Sequence, residues 1–335
     1  MEKTKNKIMV SVLMFVYNHE KYLREAIESV LCQDTEFSYE VIIHDDASTD
    51  GSAGIIEEYA VRFPERIVPI LQKENQMQKG ISITDKFMMP AVRGKYIAYC
   101  EGDDYWLRKD KLQKQVDFLE QHEAYAAVTH NCRVVDGCGR TKKPVKKFFP
   151  YKKPYTYTLK DLILEDRMPG QTATVMYRRR YYSDMKPAEK SAYERIRYCV
   201  GDRRRTLLIL LNGPVYCMNE EMSAYRYITS YGESWNARVY GKNLAGRYYV
   251  QEMDFRKFAR DYHGVRLRND YVLFGTGIMS VIRFLKKPDK ENKRQLELVL
   301  KEHESPFRFS LFLLSVFPGA LLALVIRTFR KVKSV

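Results

Sequence analysis

Three acidic residues lie within four positions of the stretch "AYCEGDDYW": Glu101, Asp103 and Asp104. They follow an apolar and aromatic run, residues 96–100, that is typical of a buried strand. Carboxylates repel one another and resist leaving water, so acids gathered where a strand ends indicate a cationic partner. Mg²⁺ and Mn²⁺ prefer oxygen ligands and often keep bonds to substrate phosphates. The stretch therefore predicts a divalent-cation site, with a solvated turn as the alternative.

Two further polar clusters follow apolar runs nearer the start of the sequence. Tyr17 and Asn18 end the first run, and Asp45 and Asp46 end the second. Ligands of parallel sheets gather beyond the carboxyl ends of the strands, so we expect these residues and the acids of 101–104 to meet at one crevice. A carboxylate there can accept hydrogen bonds from a base or a ribose.

The stretch "DDASTDGS" also has a purely structural interpretation. It is typical of a helix cap, in which Ser48, Thr49 or Asp50 satisfies free backbone N–H groups. The two interpretations are compatible, because the cap and a ligand use different atoms.

The elements that position these residues alternate along the first half of the chain. The predicted strands are residues 7–17, 39–46, 66–71, 95–100 and 125–135. Residues 20–33 and 108–122 predict helices, and residues 47–63 predict a turn that leads into a helix. Strands separated by helices predict an α/β fold with a mainly parallel sheet flanked by helices.

The composition changes after about residue 140. Residues 141–158 combine six lysines with aromatic residues and prolines, which indicates an exposed loop that either aids solubility or contacts phosphates or a membrane. Residues 167–182 predict a turn and a strand, and 200–227 predict a polar corner, a buried helix and a strand. Beyond residue 240 the chain is expected to be helical and basic.

One long apolar segment occurs, Phe309 to Ile326, which contains no charge and is interrupted by Pro318. Four cations follow it in residues 327–335. The length is at the short limit for a span, so the segment is consistent with a marginal transmembrane helix, an interfacial anchor or a buried pair of helices. We expect membrane contact, with the basic stretch at an anionic cytoplasmic leaflet.

The charge balance favours polyanionic partners. The 335 residues include 57 Lys and Arg against 42 Asp and Glu, a net charge of +15. Nucleotide phosphates, nucleic acid and anionic lipid all suit such a chain, but no recognised nucleic-acid module accompanies the charge. The six cysteines form no Cys-x-x-Cys pair, so we expect reduced thiols of a cytosolic protein without a signal peptide, in preference to a zinc site.

Four stretches in order resemble the inverting, nucleotide-diphosphate-sugar-dependent family 2 glycosyltransferases of the GT-A fold. They are "VSVLMFVYNHEKYLREAIESVLCQ", "YEVIIHDDASTDGS", "YIAYCEGDDYW" and "KLQKQVDFL". The similarity is dense over residues 8–135 and continues to about 235 through "PGQTATVMYRR", "VGD" and "MSAYR". It implies a Rossmann-like GT-A domain over residues 1–238, with a nucleotide-sugar half (1–135) and an acceptor half (136–238). A helical, basic region would then occupy residues 239–335.

The resemblance also implies roles for single residues. Those against the nucleotide are Val16, Tyr17 and Asn18, with Asp45 and Asp46 at the uracil or ribose. Asp104 is implied as the principal ligand of Mn²⁺ or Mg²⁺, Asp103 as a ligand of ribose or metal, and Arg226 as facing the diphosphate. Asp202 falls at the position of the catalytic base, which removes a proton from the acceptor hydroxyl in a single displacement. Its structural alternative is the N-cap of the following helix.

Two departures from the family pattern bear on metal and product. Ile228 stands where many relatives carry a histidine, so a third ligand would come from elsewhere, either His130 or water. The Gln-x-x-Arg-Trp motif and the several transmembrane helices of processive synthases are absent from this sequence, which implies one sugar per encounter.

The predicted function is therefore a metal-dependent inverting hexosyltransferase that uses a UDP-sugar. Its expected acceptor is a glycan, in the form of a lipid-linked intermediate of bacterial cell-surface polysaccharide synthesis. The expected location is cytoplasmic, peripheral on the inner face of the membrane, with a single span as the alternative. The rivals are a degenerate GT-A scaffold and a dinucleotide oxidoreductase, whose Gly275-x-Gly277 match is weak because Ser280 replaces the third glycine. The oligomeric state stays open.

Overall fold

The chain forms two compact units in the computed structural model, which describes residues 7–143, 150–164, 168–198, 201–228, 242–303 and 305–333. The first unit contains residues 1–157, 168–185 and 212–240, and the second contains residues 158–167, 186–211 and 241–335. The domain boundary expected between residues 238 and 239 lies outside the described residues and stays a prediction.

One sheet of nine strands forms the centre of the first unit, counted over the part of the chain that the structure describes. The strands are β1 (Ile8–Val16), β2 (Ser38–Asp45), β3 (Ile67–Leu71), β4 (Tyr96–Tyr99), β5 (Tyr105–Trp106), β6 (Ala127–Val135), β7 (Tyr155–Tyr157), β8 (Met176–Arg178) and β9 (Val215–Arg226). Their order is β3-β2-β1-β4-β8-β6-β9-β5, and β7 pairs with β9. The predicted strands of the first half are all present.

The sheet is mixed, and it is parallel where the sequence alternates strands with helices. β2 pairs in parallel with β1 and β3, β1 with β4, and β6 with β9. In contrast, β8 pairs antiparallel with β4 and β6, and β5 and β7 pair antiparallel with β9. β8 lies where the sequence predicts a strand, whereas β5 and β7, with two and three residues, are too short for a periodic pattern to reveal.

Helices flank the sheet and make up most of the second unit. Those of the first unit are α1 (Glu20–Leu31), α2 (Ser52–Arg62), α3 (Lys111–Gln121) and α5 (Arg180–Ser183). Those of the second unit are α4 (Leu159–Leu164), α6 (Pro187–Glu194), α7 (Gly201–Asn212), α8 (Ala245–His263), α9 (Asp270–Lys286), α10 (Lys290–Lys301) and α11 (Pro306–Lys333). The predicted helices and the helical nature of the region beyond residue 240 agree with this arrangement.

A buried carboxylate fastens the sheet far from its carboxyl ends. Glu40 of β2 is fully buried and accepts hydrogen bonds from the Ser11 hydroxyl (2.5 Å) and from the backbone N–H and side chain of Arg93 (2.9 and 2.6 Å). The backbone N–H of Gly94, just before β4, donates to the same serine hydroxyl (2.9 Å). A side chain on Gly94 would overlap the backbone nitrogen of Ser11, so β1 and the start of β4 approach too closely for any other residue.

Lys111, the first residue of α3, is buried beside β5, the short strand that follows the acidic turn. Lys111 is fully buried, donates to the Gln115 amide oxygen (2.7 Å) and lies 4.0 Å from the ring centroid of Trp106. Loss of water around the ammonium group lowers the pKa of Lys111 to about 7. The side chain therefore packs as an amine that loses its proton near neutral pH.

Replacing Gly94 with alanine tests the close approach at the fixed end of the sheet. We expect Gly94→Ala to lower the free energy of unfolding by about 2 kcal/mol or more, because the new methyl group must displace backbone. Gly54→Ala is the matched control: Gly54 is exposed in α2 with open space around it, so alanine should raise stability by about 0.5–1 kcal/mol. Chemical denaturation measures both, and equal effects would contradict the close approach.

The buried amine makes stability depend on pH in a predictable direction. The folded-state pKa of Lys111 lies below its ordinary value, so the unfolded chain binds more protons above pH 7 and stability rises with pH from 7 towards 10. Relative to Lys111→Met, the wild type should gain about 2 kcal/mol of unfolding free energy between pH 7 and 9. Lys109→Met, at an exposed site, should keep the wild-type slope. Parallel slopes for wild type and Lys111→Met would refute the prediction.

Candidate active site

The three acids of the "EGDD" turn come together directly after β4. The side-chain oxygens of Glu101, Asp103 and Asp104 lie within 4.8 Å of one another. The turn sits beside the end of β1, because the backbone N–H of Gly102 donates to the carbonyl of Phe15 (2.8 Å). The predicted acidic cluster is thus present at the carboxyl end of the parallel strands.

Asp104 is the most constrained of the three acids, because no part of it reaches solvent. One of its carboxylate oxygens accepts the backbone N–H of Arg226 (2.9 Å), and the other accepts the side-chain amide of Gln171 (2.8 Å). Burial, followed by the charges of Asp103 and Glu101, raises the pKa of Asp104 well above its ordinary value. Each carboxylate oxygen has a second lone pair, so this cluster has the donor set and the unmet negative charge that suit Mg²⁺ or Mn²⁺.

Arg226, the last residue of β9, lies beside the acidic turn. Its guanidinium forms an ion pair with Glu25, donates to the carbonyl of Asp103 (2.7 Å), and lies between the rings of Tyr22 and Tyr105, 4.6 and 4.7 Å from their centroids. The Nε atom is buried and has no hydrogen-bond partner among the described residues. The side chain is therefore fixed beside the acids, and its Nε–H is unpaired within the described part of the chain.

Ser48 links the carboxyl ends of β1 and β2 through hydrogen bonds. The hydroxyl of Ser48 accepts the backbone N–H of Asn18 (2.9 Å) and donates to Asp45 (2.5 Å), which also accepts the Ser48 N–H (2.9 Å). Asn18 returns the contact by accepting the N–H of Thr49 (2.8 Å). Both Asn18 and Ala47 have positive φ, 56° and 61°, a backbone state that clusters at ligand sites.

Asp46 is buried and holds the loop after β3. Its carboxylate accepts the backbone N–H groups of Gln76 (2.7 Å) and Met77 (3.1 Å), and its own N–H donates to the carbonyl of Val16 (3.0 Å). Tyr17 lies next to this contact and is half-buried. The predicted nucleotide residues therefore share one wall of the site, although most of the oxygen atoms of Asp45 and Asp46 also serve the backbone.

The helix-cap interpretation of "DDASTDGS" is confirmed for Asp50. Its two carboxylate oxygens accept the N–H groups of Ser52 and Glu20 (3.0 Å each), at the first turns of α2 and α1. Glu20 in turn accepts the N–H of Gly51 (2.8 Å), so each helix start is satisfied partly by the other. The cap fixes the same two strand ends that carry Asn18 and Asp45.

His130 does not join the acids. It is buried in β6, its Nδ1 atom lies 2.8 Å from the carbonyl of Asn131, and its Nε2 atom has no partner within the described ranges. Burial, followed by the nearby charge of Lys111, lowers the pKa of His130 well below its ordinary value. Among the residues that the structure describes, the acidic cluster contains no histidine, and Glu101 provides its third side chain.

Asp202 belongs to the second unit and lies in the first turn of α7, which begins at Gly201. It is therefore one position inside the helix and not the N-cap, and its charge suits the helix dipole there. Its Oδ1 atom accepts the N–H of Arg203 (2.6 Å), and its carbonyl accepts the Thr206 hydroxyl (2.8 Å). Val200 of the "VGD" motif lies outside the described residues.

Gln171 is the site residue that sequence reasoning did not identify. It stands in the "PGQTATV" stretch, which resembles the family but implies no role for this glutamine. Its oxygen accepts the Ala173 N–H (2.6 Å) while its nitrogen binds Asp104. Cys32, Cys100, Cys132 and Cys138 form no disulfide within the part of the chain that the structure describes.

The chain is similar to a known protein family and to several known proteins. The family model for glycosyl transferase family 2 matches residues 11–185. The uncharacterized protein Mb1547 of Mycobacterium bovis is 36% identical over 225 residues, which are 65% of this chain and 58% of that protein. The chain thus spans less than two thirds of that relative. An Escherichia coli protein named UDP-Glc:alpha-D-GlcNAc-diphosphoundecaprenol beta-1,3-glucosyltransferase WfaP is 32% identical over 117 residues, 35% of this chain and 43% of that one.

Solved structures support the fold. Staphylococcus aureus TarS residues 1–349, in complex with UDP-GlcNAc, matches 97% of this chain and 92% of its own with a TM-score of 0.66 and 18% identity. The mannosyltransferase PcManGT of Pyrobaculum calidifontis, in complex with GDP-Man and Mn²⁺, matches 94% and 86% with a TM-score of 0.51 and 13% identity. These likenesses confirm the predicted α/β fold of the GT-A class. A family model that matches more than half of its residues shows that the chain belongs to glycosyl transferase family 2.

Proposed function

We propose that this chain transfers one sugar from a UDP-sugar to a hydroxyl of a glycan acceptor, with inversion at the anomeric carbon. The observation that carries the proposal is the buried Asp104 carboxylate, grouped with two other acids at the carboxyl ends of parallel strands. Three carboxylates grouped around one buried member offer the oxygen ligands that a divalent cation prefers, and such a cation can bind a diphosphate. TarS is in complex with UDP-GlcNAc, and the name of WfaP includes UDP-Glc. Both support a UDP-sugar as the donor.

Asp104, Asp103 and Glu101 would hold Mg²⁺ or Mn²⁺. When bound, such a cation neutralises the charge that develops on a departing diphosphate. The presence of Mn²⁺ in the PcManGT complex supports a divalent ion for this fold. Arg226 is proposed to add a fixed positive charge beside the diphosphate.

The wall formed by β1 and β2 is proposed to bind the nucleoside. Val16, Tyr17 and Asn18 would lie against the base, and the carboxylates of Asp45 and Asp46 would accept hydrogen bonds from the uracil or ribose. Those carboxylates are already held by backbone N–H groups, so they would meet the ligand without losing side-chain freedom. Preorganised acceptors of this kind favour a specific orientation of the nucleotide.

Asp202 is proposed as the catalytic base that takes the proton of the acceptor hydroxyl. A carboxylate is a suitable general base when it is held within hydrogen-bond reach of that proton in the bound complex. The resemblance of "VGD" to the family motif supports this assignment. The acceptor is proposed to be a glycan, lipid-linked during cell-surface polysaccharide synthesis, and the chain would act at the cytoplasmic face of the membrane.

Removing the charge of Asp104 tests the donor site. We expect wild-type protein to bind UDP more tightly with Mn²⁺ than without it, and Asp104→Asn to weaken the Mn²⁺-dependent binding by about tenfold or more, equivalent to ~1.4 kcal/mol. Isothermal titration with UDP, GDP and dTDP makes the measurement. Asp117→Asn, an exposed aspartate of α3, is the matched control and should bind like wild type.

The alternative is a degenerate scaffold that retains the fold without catalysis. If wild type and Asp104→Asn bind UDP equally, or if neither binds any diphosphate, the metal and donor assignment is wrong. Metal-dependent UDP binding without transfer or donor hydrolysis would instead favour the scaffold.

Removing the charge of Asp202 tests the base. We expect Asp202→Asn to lower the turnover of sugar transfer by about 10²–10⁴-fold, because an amide cannot accept the acceptor proton. Its UDP affinity should equal that of the wild type. Asp261→Asn, an exposed aspartate of the same unit, should leave turnover unchanged, and undiminished turnover in Asp202→Asn would remove Asp202 from the mechanism.

A further inference from the structure

The apolar helix α11 packs against its own unit along one stripe. Phe309, Val316, Ala320 and Ala323 are all buried, and their spacing places them on one side of a helix. The ring of Phe309 contacts Tyr249 of α8 edge-on, with centroids 6.1 Å apart, and Phe317 lies 5.3 Å from Phe274 of α9. This side of the helix is part of the core of the second unit.

The opposite side of α11 is apolar and exposed. At 100° per residue this side is centred about half a turn from Phe309. Its large exposed side chains are Phe307, Leu311, Leu314, Leu321 and Leu322. A soluble surface rarely groups so many apolar side chains, so the outer face indicates a partner.

Length and composition alone would allow α11 to cross a bilayer, but its contacts argue against a span. Gly319 lies in the middle of the apolar segment, and a side chain there would overlap the carboxylate of Asp270. Asp270 pairs with Arg256 at 2.5 Å. A span would carry this ion pair towards the centre of the hydrocarbon, where charged side chains are most costly. The helix therefore stays on the protein.

The charge of the second unit matches an anionic surface. That unit carries 28 Lys and Arg against 15 Asp and Glu, whereas the first unit carries 29 against 27. Cations also flank the apolar face in sequence: Arg308 stands before it, and Arg327, Arg330, Lys331 and Lys333 follow it. Phosphate headgroups of anionic lipid are complementary to both the charge and the adjacent apolar surface.

We propose that α11 lies in the plane of an anionic bilayer surface, with its outer face inserted to the depth of the headgroups and its inner face kept on the protein. The proposal rests on the proposed function only in placing the chain at the membrane, and it specifies how the chain is held there. An in-plane anchor holds the protein without a transmembrane segment.

Flotation with vesicles tests the surface. Full-length protein should float with vesicles containing phosphatidylglycerol, bind far less to pure phosphatidylcholine vesicles, and be released as salt rises. Leu314→Glu, at a side chain that is 70% exposed, should lower the vesicle-bound to free ratio about tenfold or more. Val61→Glu, at an 82% exposed side chain of α2, makes the same chemical change in the first unit and should float like wild type.

Depth measurements separate an in-plane helix from a span. A fluorophore is attached to Phe307→Cys, Leu314→Cys or Leu321→Cys, with the exposed Cys32 and Cys138 replaced by serine. Residues 307 and 321 are about 21 Å apart along a helix axis. Equal, shallow quenching by lipids labelled at known depths is expected at all three sites. A depth difference approaching 20 Å would show a span and overturn the proposal.

Two other outcomes would also overturn it. The first is that the protein does not bind anionic vesicles. The second is that light scattering shows a dimer in which the second copy, and not lipid, covers the Leu314 site. Either result would assign the apolar face to another partner. Titrating the same preparations with UDP in the absence of vesicles distinguishes a failure of the membrane proposal from a failure of the donor-site proposal. Retained Mn²⁺-dependent UDP binding with no flotation would reject the membrane surface alone, and flotation without UDP binding would reject the donor site alone.

Discussion

The buried carboxylate of Asp104 is the constraint on which the first unit depends. Its two oxygens are satisfied by groups 67 and 122 residues further along the chain, the amide of Gln171 and the backbone N–H of Arg226. Without both donors the folded protein would contain a buried carboxyl group with unmade hydrogen bonds, a defect that costs about 1–3 kcal/mol for each unsatisfied group. The end of β4, the turn at Gln171 and the end of β9 must therefore be in place together, whether or not a ligand is bound.

Further contacts spread this constraint to the surrounding helices. Gln115 of α3 donates to the carbonyl of Thr174 (2.8 Å) and the indole of Trp106 donates to that of Ala173 (3.2 Å), which fixes the turn that carries Gln171. On the other side, the Arg226 guanidinium pairs with Glu25 and so joins β9 to α1. The position of Asp104 is thus fixed by a network of buried hydrogen bonds before any ligand binds, which is a form of electrostatic preorganisation.

The sequence predicts those features that depend on neighbouring residues. Apolar runs that end in polar clusters identify β1, β2 and β4, and the geometry of parallel strands then brings Asn18, Asp45 and Asp104 to one edge. The role of Gln171 is not predictable in this way, because a glutamine in a turn has no periodic signal and its partner is 67 residues distant. The same reason hides the support that Asp46 gives to the loop after β3. Local pattern shows where a side chain is, and long-range pairing decides which atoms remain for a ligand.

The two units divide the electrostatic work differently, and this bears on the proposed function. The first unit is almost neutral, so the electrostatic field at the proposed donor site would come from individually placed groups such as Arg226 and the three acids. Placed charges select one ligand orientation, whereas a diffuse excess of charge attracts any polyanion. The second unit carries that diffuse excess beside an apolar helix face. A protein held at a membrane by the second unit would meet a lipid-linked acceptor by diffusion in two dimensions, and the donor site would keep its selectivity.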